Sequence, residues 1–296
     1  MRLVMKTLHP FVAASAVLVL TAALSQFTVA GQTFPVLVGA GDIASCDSRG
    51  DEITARLLDR IAGTVFTTGD NAYEYGTDQQ FRECYHPSWG RHRARTRPTP
   101  GNHDYGTAGA AGYFRYFGDA AGDPRRGYYS YSLGTWHVIA LNSNCRDVSC
   151  DADSEQVRWL RADLAAHPTR CTVAYWHHPR FGSGPHGGTA AMAVIWQVLY
   201  DAGADLVLTG HNHLYERFAP QDPSGRLDAV RGIREITVGT GGRSHYQVKL
   251  LAANSEVRNT DTFGVLKVIL EPTRYAWEFV PERGKTFRDR GTTACH

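Results

Sequence analysis

The chain has 296 residues, 43% of them hydrophobic and 20% charged, with a formal net charge of +2. Its first thirty residues hold Arg2 and Lys6 and no acidic residue, so everything after them is formally neutral. That balance excludes a polycation built to bind nucleic acid.

An apolar run from Phe11 to Leu24 follows the two cations, and Thr28-Val29-Ala30 places small residues where a signal peptidase reads. This predicts a signal peptide over 1–30, cleaved after Ala30. The run is shorter than the ~20 residues a spanning helix needs, and no later segment is long enough. The expected location is therefore secreted, extracellular or periplasmic, with no membrane association once the leader is gone. Residues 31–296 are expected to form a single domain, since no internal repeat or Pro/Ser-rich linker divides them. Cys46, Cys84, Cys145, Cys150, Cys171 and Cys295 all follow the leader. An even number in an exported chain points to disulfides rather than a thiolate metal site. Only Cys145 with Cys150 pairs on local grounds; the other four leave their connectivity open.

In chain order, strands are predicted at 35–40, 64–69, 136–142, 171–177, 204–210, 234–239, 263–270 and 274–280. Most are continuously apolar, as strands buried on both faces are. Between them, residues 51–62 predict a helix with Ile53, Leu57, Leu58 and Ile61 on one face and Asp51 and Glu52 in its first turn. Residues 153–166 predict another, capped by Asp153 with Gln156 three residues on and stopped by Pro168. A third starts near Thr189 and ends at Gly203. The alternation argues for an α/β architecture, and the closely spaced late strands for antiparallel hairpins. The expectation is a mixed α/β (α+β) fold: two packed mixed sheets flanked by helices.

Candidate metal-binding side chains fall just beyond strand ends, where loops of an α/β protein converge on a crevice. Five clusters carry them: Gly41-Asp42, Gly69-Asp70-Asn71-Ala72-Tyr73, Gly101-Asn102-His103-Asp104, His177-His178-Pro179 and Gly210-His211-Asn212-His213. Any one alone reads as an ordinary turn or helix cap. Together their carboxylates, amide, phenol and imidazoles suit two hard or borderline cations.

The order and content of GDNAY (69–73), GNHD (101–104) and GHNHLYER (210–217) resemble the calcineurin-like metallophosphoesterase superfamily, and within it the purple acid phosphatase branch, from Asp42 to the C-terminal strands. Many members of that superfamily begin with Asp-x-His. Here Ala44 stands at the histidine position, and Tyr73, three residues after Asp70, occupies the place of the tyrosine that replaces that ligand in the purple branch. That branch usually has Gly where Ala44 stands. The resemblance implies a four-layer sandwich and a phosphoesterase with two metal ions bridged by Asp70. One metal is held by Asp42, Asp70, Tyr73 and His213, the other by Asp70, Asn102, His177 and His211. A phenolate is a hard donor suited to Fe(III), with Zn, Mn or Fe as the divalent partner. His177 is preferred to His178 because the family ligand lies two residues before proline. The short stretch before Asp42 is expected to leave no room for the extra β-domain of some large relatives.

His103, with Asp104 as its expected orienting carboxylate, His186, nine residues after His177, and His178 are the candidate catalytic residues. His245 is read as structural, although the preceding Gly239-Thr240-Gly241-Gly242 could nest an anion. RHRARTR (91–97) is read as a solvated loop, and Tyr113, Phe114, Tyr116 and Phe117 as core. The expected reaction is hydrolysis of a small phosphate monoester at acid pH by a metal-bound hydroxide. A phosphodiesterase or nuclease on the same metal site is the alternative, the one case in which nucleic acid is a substrate. A non-catalytic binding protein is the third reading.

Overall fold

The computed structural model describes Met1 and residues 33–296; the predicted leader and its cleavage site lie outside the described residues. The strands are β1 (Val36–Ala40), β2 (Thr64–Thr68), β3 (Thr96–Thr99), β4 (Tyr129–Leu133), β5 (Trp136–Ala140), β6 (Thr172–Tyr175), β7 (Leu206–Thr209), β8 (Tyr215–Phe218), β9 (Arg234–Val238), β10 (Ser255–Asn259), β11 (Gly264–Glu271), β12 (Arg274–Pro281) and β13 (Arg290–Ala294). They form two mixed sheets, ordered β13-β12-β11-β1-β2-β3 and β10-β8-β9-β7-β6-β5-β4. In the first, β1, β2 and β3 are parallel and β11 to β13 run as antiparallel neighbours. In the second, β5, β6, β7 and β9 are parallel.

The continuously apolar strands explain the layering. In the second sheet Val138, Val173, Leu206 and Leu208 join the larger core together with residues of the first sheet. Their neighbours Ile139, Ala174 and Val207 pack instead with Val157 and Leu160 of helix Glu155–Ala166 and with Ile195, Trp196 and Leu199 of helix Ala193–Asp201. Period-two alternation thus feeds two separate cores, and each strand must be apolar on both faces. Among the described residues no helix is long and apolar enough to cross a membrane.

The strands that sequence patterning misses have visible reasons. Pro98 lies within β3, and β3 is a sheet edge, where proline costs least. β4, β10 and β13 are rich in Ser, Thr, Gly or charge. The first helix spans Gly50–Leu58, shorter than expected, with Thr54, Ala55 and Leu58 buried while Ile53 and Leu57 are half-buried. The second starts at Glu155 under a Ser154 cap, whose side chain accepts from Val157 N. Gln156 turns inward instead and pairs with the backbone of Asn142.

Cys145 bonds Cys150 as expected, Cys46 bonds Cys84, and Cys171 bonds Cys295. The last joins the start of β6 to the end of β13, tying one sheet to the other. Tyr113, Phe114 and Phe117 are core, with Tyr116 packed against them.

The basic stretch 91–97 is not a loop: it lies in the 3-10 helix Trp89–Arg95 and the start of β3, with Arg91 and Arg93 exposed and Arg95 half-buried. Arg91 pairs with Asp59 and Glu52 of the first helix region. Arg95 donates to the carbonyls of Leu58 and Gly63 at 2.7 Å and of Ile61 at 3.0 Å, at and just beyond the helix end, sharing the Leu58 carbonyl with Ile61 N. Arg95→Ala strips three half-buried carbonyls of a charged donor and is expected to cost about 2–4 kcal/mol of unfolding free energy in urea titration, with bound metal unchanged. Arg95→Lys, which lacks the planar fork, should recover only part of it.

Candidate metal centre

β1, β2, β3, β6 and β7 end at one crevice between the sheets, and the five candidate clusters follow those five strands. The loops are laced together before any side chain is considered. Asp42, Ile43 and Ala44 donate their N–H groups to the carbonyls of Gly69, Asp70 and Asn71, and Tyr73 N donates back to Ala44. Ala44 therefore contributes no ligand but joins the loop of Asp42 to the loop of Asp70. Asp42, Asp70 and His211 have φ of 58°, 51° and 67°. For non-glycine residues that left-handed region is costly, and the surrounding bonds must hold it. Gly101 has no alternative, because a Cβ there would fall on the Asp70 carboxylate.

The candidate ligands come together in two groups that share Asp70. Around the Tyr73 hydroxyl lie Asp42 Oδ1 and Asp70 Oδ2 at 3.0 Å and His213 Nε2 at 3.1 Å. Around His177 Nε2 lie Asn102 Oδ1 and His211 Nδ1 at 3.1 Å and Asp70 Oδ2 at 3.3 Å. Asp42, Asp70 and His177 are fully or almost fully buried. His177 Nδ1 lies 2.7 Å from Thr68 O and His213 Nδ1 2.7 Å from Ser244 Oγ, which leaves each Nε2 free as a donor atom.

This arrangement fits cations. One phenol proton cannot serve two buried carboxylates and an imidazole nitrogen, so three lone pairs face one another around Tyr73. Burial, with Asp42 and Asp70 beside it, pushes the Tyr73 pKa up, and a positive charge is what would bring it down. Burial opposes protonation of His177, yet the Asp70 carboxylate outweighs it and lifts the imidazole to about 9.

The other candidate residues distribute unevenly. His103 N donates to Asp70 Oδ1 at 2.8 Å, and its ring packs on Tyr73 with centroids 4.4 Å apart. Asp104 does not orient it: His103 Nδ1 lies 2.7 Å from the carbonyl of Glu74. The buried Asp104 carboxylate instead accepts Gly101 N, Asn71 N and Asn71 Nδ2, so it positions both loops. His178 is bonded to Ser143 and lies 4.4 Å, ring to ring, from His211. Burial and the neighbouring His177 push it down to about 3, so it is neutral. His186 is exposed and likewise 4.4 Å from His211. His245 packs on Phe263. The glycine run before it forms no anion nest, since Gly239 N and Gly241 N are spent on the carbonyls of Leu214 and Gly41.

The family model for calcineurin-like phosphoesterases matches residues 36–215, which hold all seven candidate ligands. The chain belongs to that family. Similar curated proteins include purple acid phosphatase 18 of Arabidopsis thaliana, 36% identical over 121 residues covering 39% of this chain and 26% of that protein. Purple acid phosphatase 21 of Arabidopsis thaliana is 28% identical over 247 residues, covering 73% and 52%. The chain thus spans between about a quarter and a half of the length of these relatives. Among solved structures it is similar in fold to purple acid phosphatase PPD1 from yellow lupin, with TM-score 0.70, 17% identity and coverage of 89% and 54%. It is also similar to GAP50, described as the anchor in the inner membrane complex of Plasmodium, with TM-score 0.69, 13% identity and 90% of each chain.

Several residues of the site have no signal in the family motifs. Tyr246 stacks on His213 at 4.0 Å, and Arg243 sits 5.2 Å over the Tyr73 ring while pairing with Glu74. Two fully buried carboxylates hold the loop that follows His177. Glu235 accepts Arg180 N and Phe181 N at 2.9 and 3.0 Å, and Glu216 accepts the N–H and hydroxyl of Ser183. Burial pushes Glu235 up to about 8. The folded protein therefore keeps a proton that an unfolded glutamate releases near 4.5. The stability from this group is full below that pH and is lost as the pH rises towards 8. Thermal scans should show Tm falling across that window, with the slope flattened in Glu235→Gln. Asp104→Asn, which replaces one oxygen of the carboxylate holding Gly101 and Asn71 with an amide donor, is expected to weaken metal affinity about 10–100-fold by equilibrium dialysis.

Proposed function

We propose that this chain is a secreted, metal-dependent phosphomonoesterase working at acid pH, with two cations held on either side of Asp70. One observation carries the reading: a single buried carboxylate belongs to two donor groups of different chemistry. Asp42, Tyr73 and His213 make the oxygen-rich side that suits Fe(III). Asn102, His177 and His211 make the softer side that suits Zn, Mn or Fe(II). When bound, the paired cations would polarise the phosphoryl group and acidify the attacking water.

The chain's own residues supply the rest. Asp70 fixes the spacing and holds the His103 backbone. The Glu74 carbonyl accepts His103 Nδ1–H and sets the ring, so that Nε2 would donate to a phosphoryl oxygen when the imidazole carries both protons. His186 is the residue we assign to protonate the leaving oxygen, a role supported by its exposure beside His211. The leader and the three disulfides support export. The Plasmodium protein of similar fold is described as an anchor, so fold alone does not argue for turnover; the complete donor set does.

Rates on 4-nitrophenyl phosphate and bis(4-nitrophenyl) phosphate from acid to alkaline pH test the reading. Monoester preference at acid pH is expected, and Asp70→Asn should lower kcat on the order of 10³-fold and reduce bound metal. Preference for the diester at neutral or alkaline pH would replace the monoesterase with a diesterase on the same site. His186→Ala should slow an alkyl phosphate by about 10²-fold or more while sparing the aryl ester, whose leaving group needs no proton; equal losses would remove His186 as the acid.

A further inference from the structure

Beside the metal centre lies a cavity of about 360 Å³ whose wall includes Asn102 and His178. A group seated in it would hang directly from an ester held at the centre. The rest of the wall comes largely from the segment after β5: Ser143, Asn144, Cys145, Arg146 and Asp147. The two charged residues stand at the tip of the loop closed by the Cys145–Cys150 disulfide, where Asn144 O accepts both Asp147 N and Val148 N at 2.9 Å. The loop is therefore held without help from either charge. Arg146 and Asp147 are exposed, and neither has an ion pair among the described residues, with each other or with anything else.

A cation and an anion, unspent and side by side on a cross-linked loop, do not suit a plain anion, since Asp147 cancels the attraction of Arg146. They suit a group carrying both charges. The geometry points to Arg146 and Asp147 as specificity residues for small phosphate monoesters whose alcohol is an α-amino acid, Arg146 taking the carboxylate and Asp147 the ammonium. The inference rests on the phosphoesterase reading and deepens it by assigning a substrate class. In the reaction the bond between phosphorus and the side-chain oxygen breaks, water gives hydroxyl to phosphorus and a proton to that oxygen, and the free hydroxy amino acid leaves. The disulfide limits the backbone freedom of the loop that carries the pair, which lowers part of the ordering cost on binding.

Three near-isosteric esters separate the two contacts. O-phosphoserine has both charged groups, 3-phosphoglycerate keeps the carboxylate with a hydroxyl for the ammonium, and O-phosphoethanolamine keeps only the ammonium. With the metal-loaded protein, O-phosphoserine is expected to have the lowest KM. Arg146→Met should raise KM about fivefold to tenfold for the two carboxylates and leave O-phosphoethanolamine unchanged. Asp147→Asn should do so for the two ammonium esters and leave 3-phosphoglycerate unchanged. 4-Nitrophenyl phosphate, with neither group, should be unaffected by both. KM values for the three esters that move together, or not at all, overturn the assignment. Calorimetric binding of O-phosphoserine and of orthophosphate keeps the two readings apart. If no ester is hydrolysed, the phosphoesterase reading fails, and the cavity is judged by binding alone. Equal affinity of wild type and both variants for O-phosphoserine then overturns it, and a selective loss sustains it.

Discussion

Asp70 Oδ2 lies 3.0 Å from the Tyr73 hydroxyl and 3.3 Å from His177 Nε2, while Oδ1 accepts the N–H of His103 at 2.8 Å. No other side chain belongs to both donor groups, and its position decides what the two sheets must do. Burying an ionised carboxylate without a partner costs several kcal/mol. Here burial would push Asp70 up, and the His177 and His103 imidazoles turn the net shift downwards. Two further constraints follow. Gly101 must lack a side chain for the carboxylate to fit, and Asp70 must hold a left-handed backbone that the β2 hydrogen bonds and the lacing to Ile43 enforce.

The fold answers those constraints with rigidity beneath and irregularity above. Parallel strands from both sheets converge so that five loops leave from one end, and the two cores on either side of the second sheet fix those ends. The Cys171–Cys295 bond, between β6 and the last strand, adds a covalent tie across the sheets. Closing a long loop constrains the unfolded chain more than a short one does. The Cys145–Cys150 bond closes only a few residues, and its value lies in shaping a local loop.

Sequence patterning read the core strands because each is apolar on two faces, and it read most candidate ligands because Asp42, Asp70, Asn102 and His211 each follow a glycine just beyond a strand, while His177 follows the apolar β6 with no glycine between. Its failures share a cause. Ser244 beneath His213, Glu74 beneath His103 and Glu235 beneath Arg180 act through contacts 29 to 55 residues apart, and no local periodicity records them. Asp104 shows the limit most clearly. Adjacency to His103 suggested a partner for the imidazole, but the turn at Gly101 aims the carboxylate back at Asn71, and a main-chain carbonyl took the expected role. Arg95 was misread in the same way: its composition suggested solvent, while its distance from Leu58 and Gly63 in the fold makes it a clamp.

Low identity to solved relatives is compatible with this division. At 17% identity a common fold survives because the layered cores ask only for apolar side chains of suitable volume. The candidate ligands face a harsher demand, since side chains from five separate loops must bring their donor atoms within 3.0 to 3.3 Å of one another. Between these extremes lie the segments that bear on substrate choice: the 145–150 loop, the 180–188 loop held by Glu216 and Glu235, and the stretch carrying Arg243 and Tyr246. They lie beside the candidate ligands without supplying donor atoms, so they can change while the ligand set stays. Under the proposed reading, selectivity belongs to Arg146 and Asp147 on the 145–150 loop rather than to the motifs that mark the family.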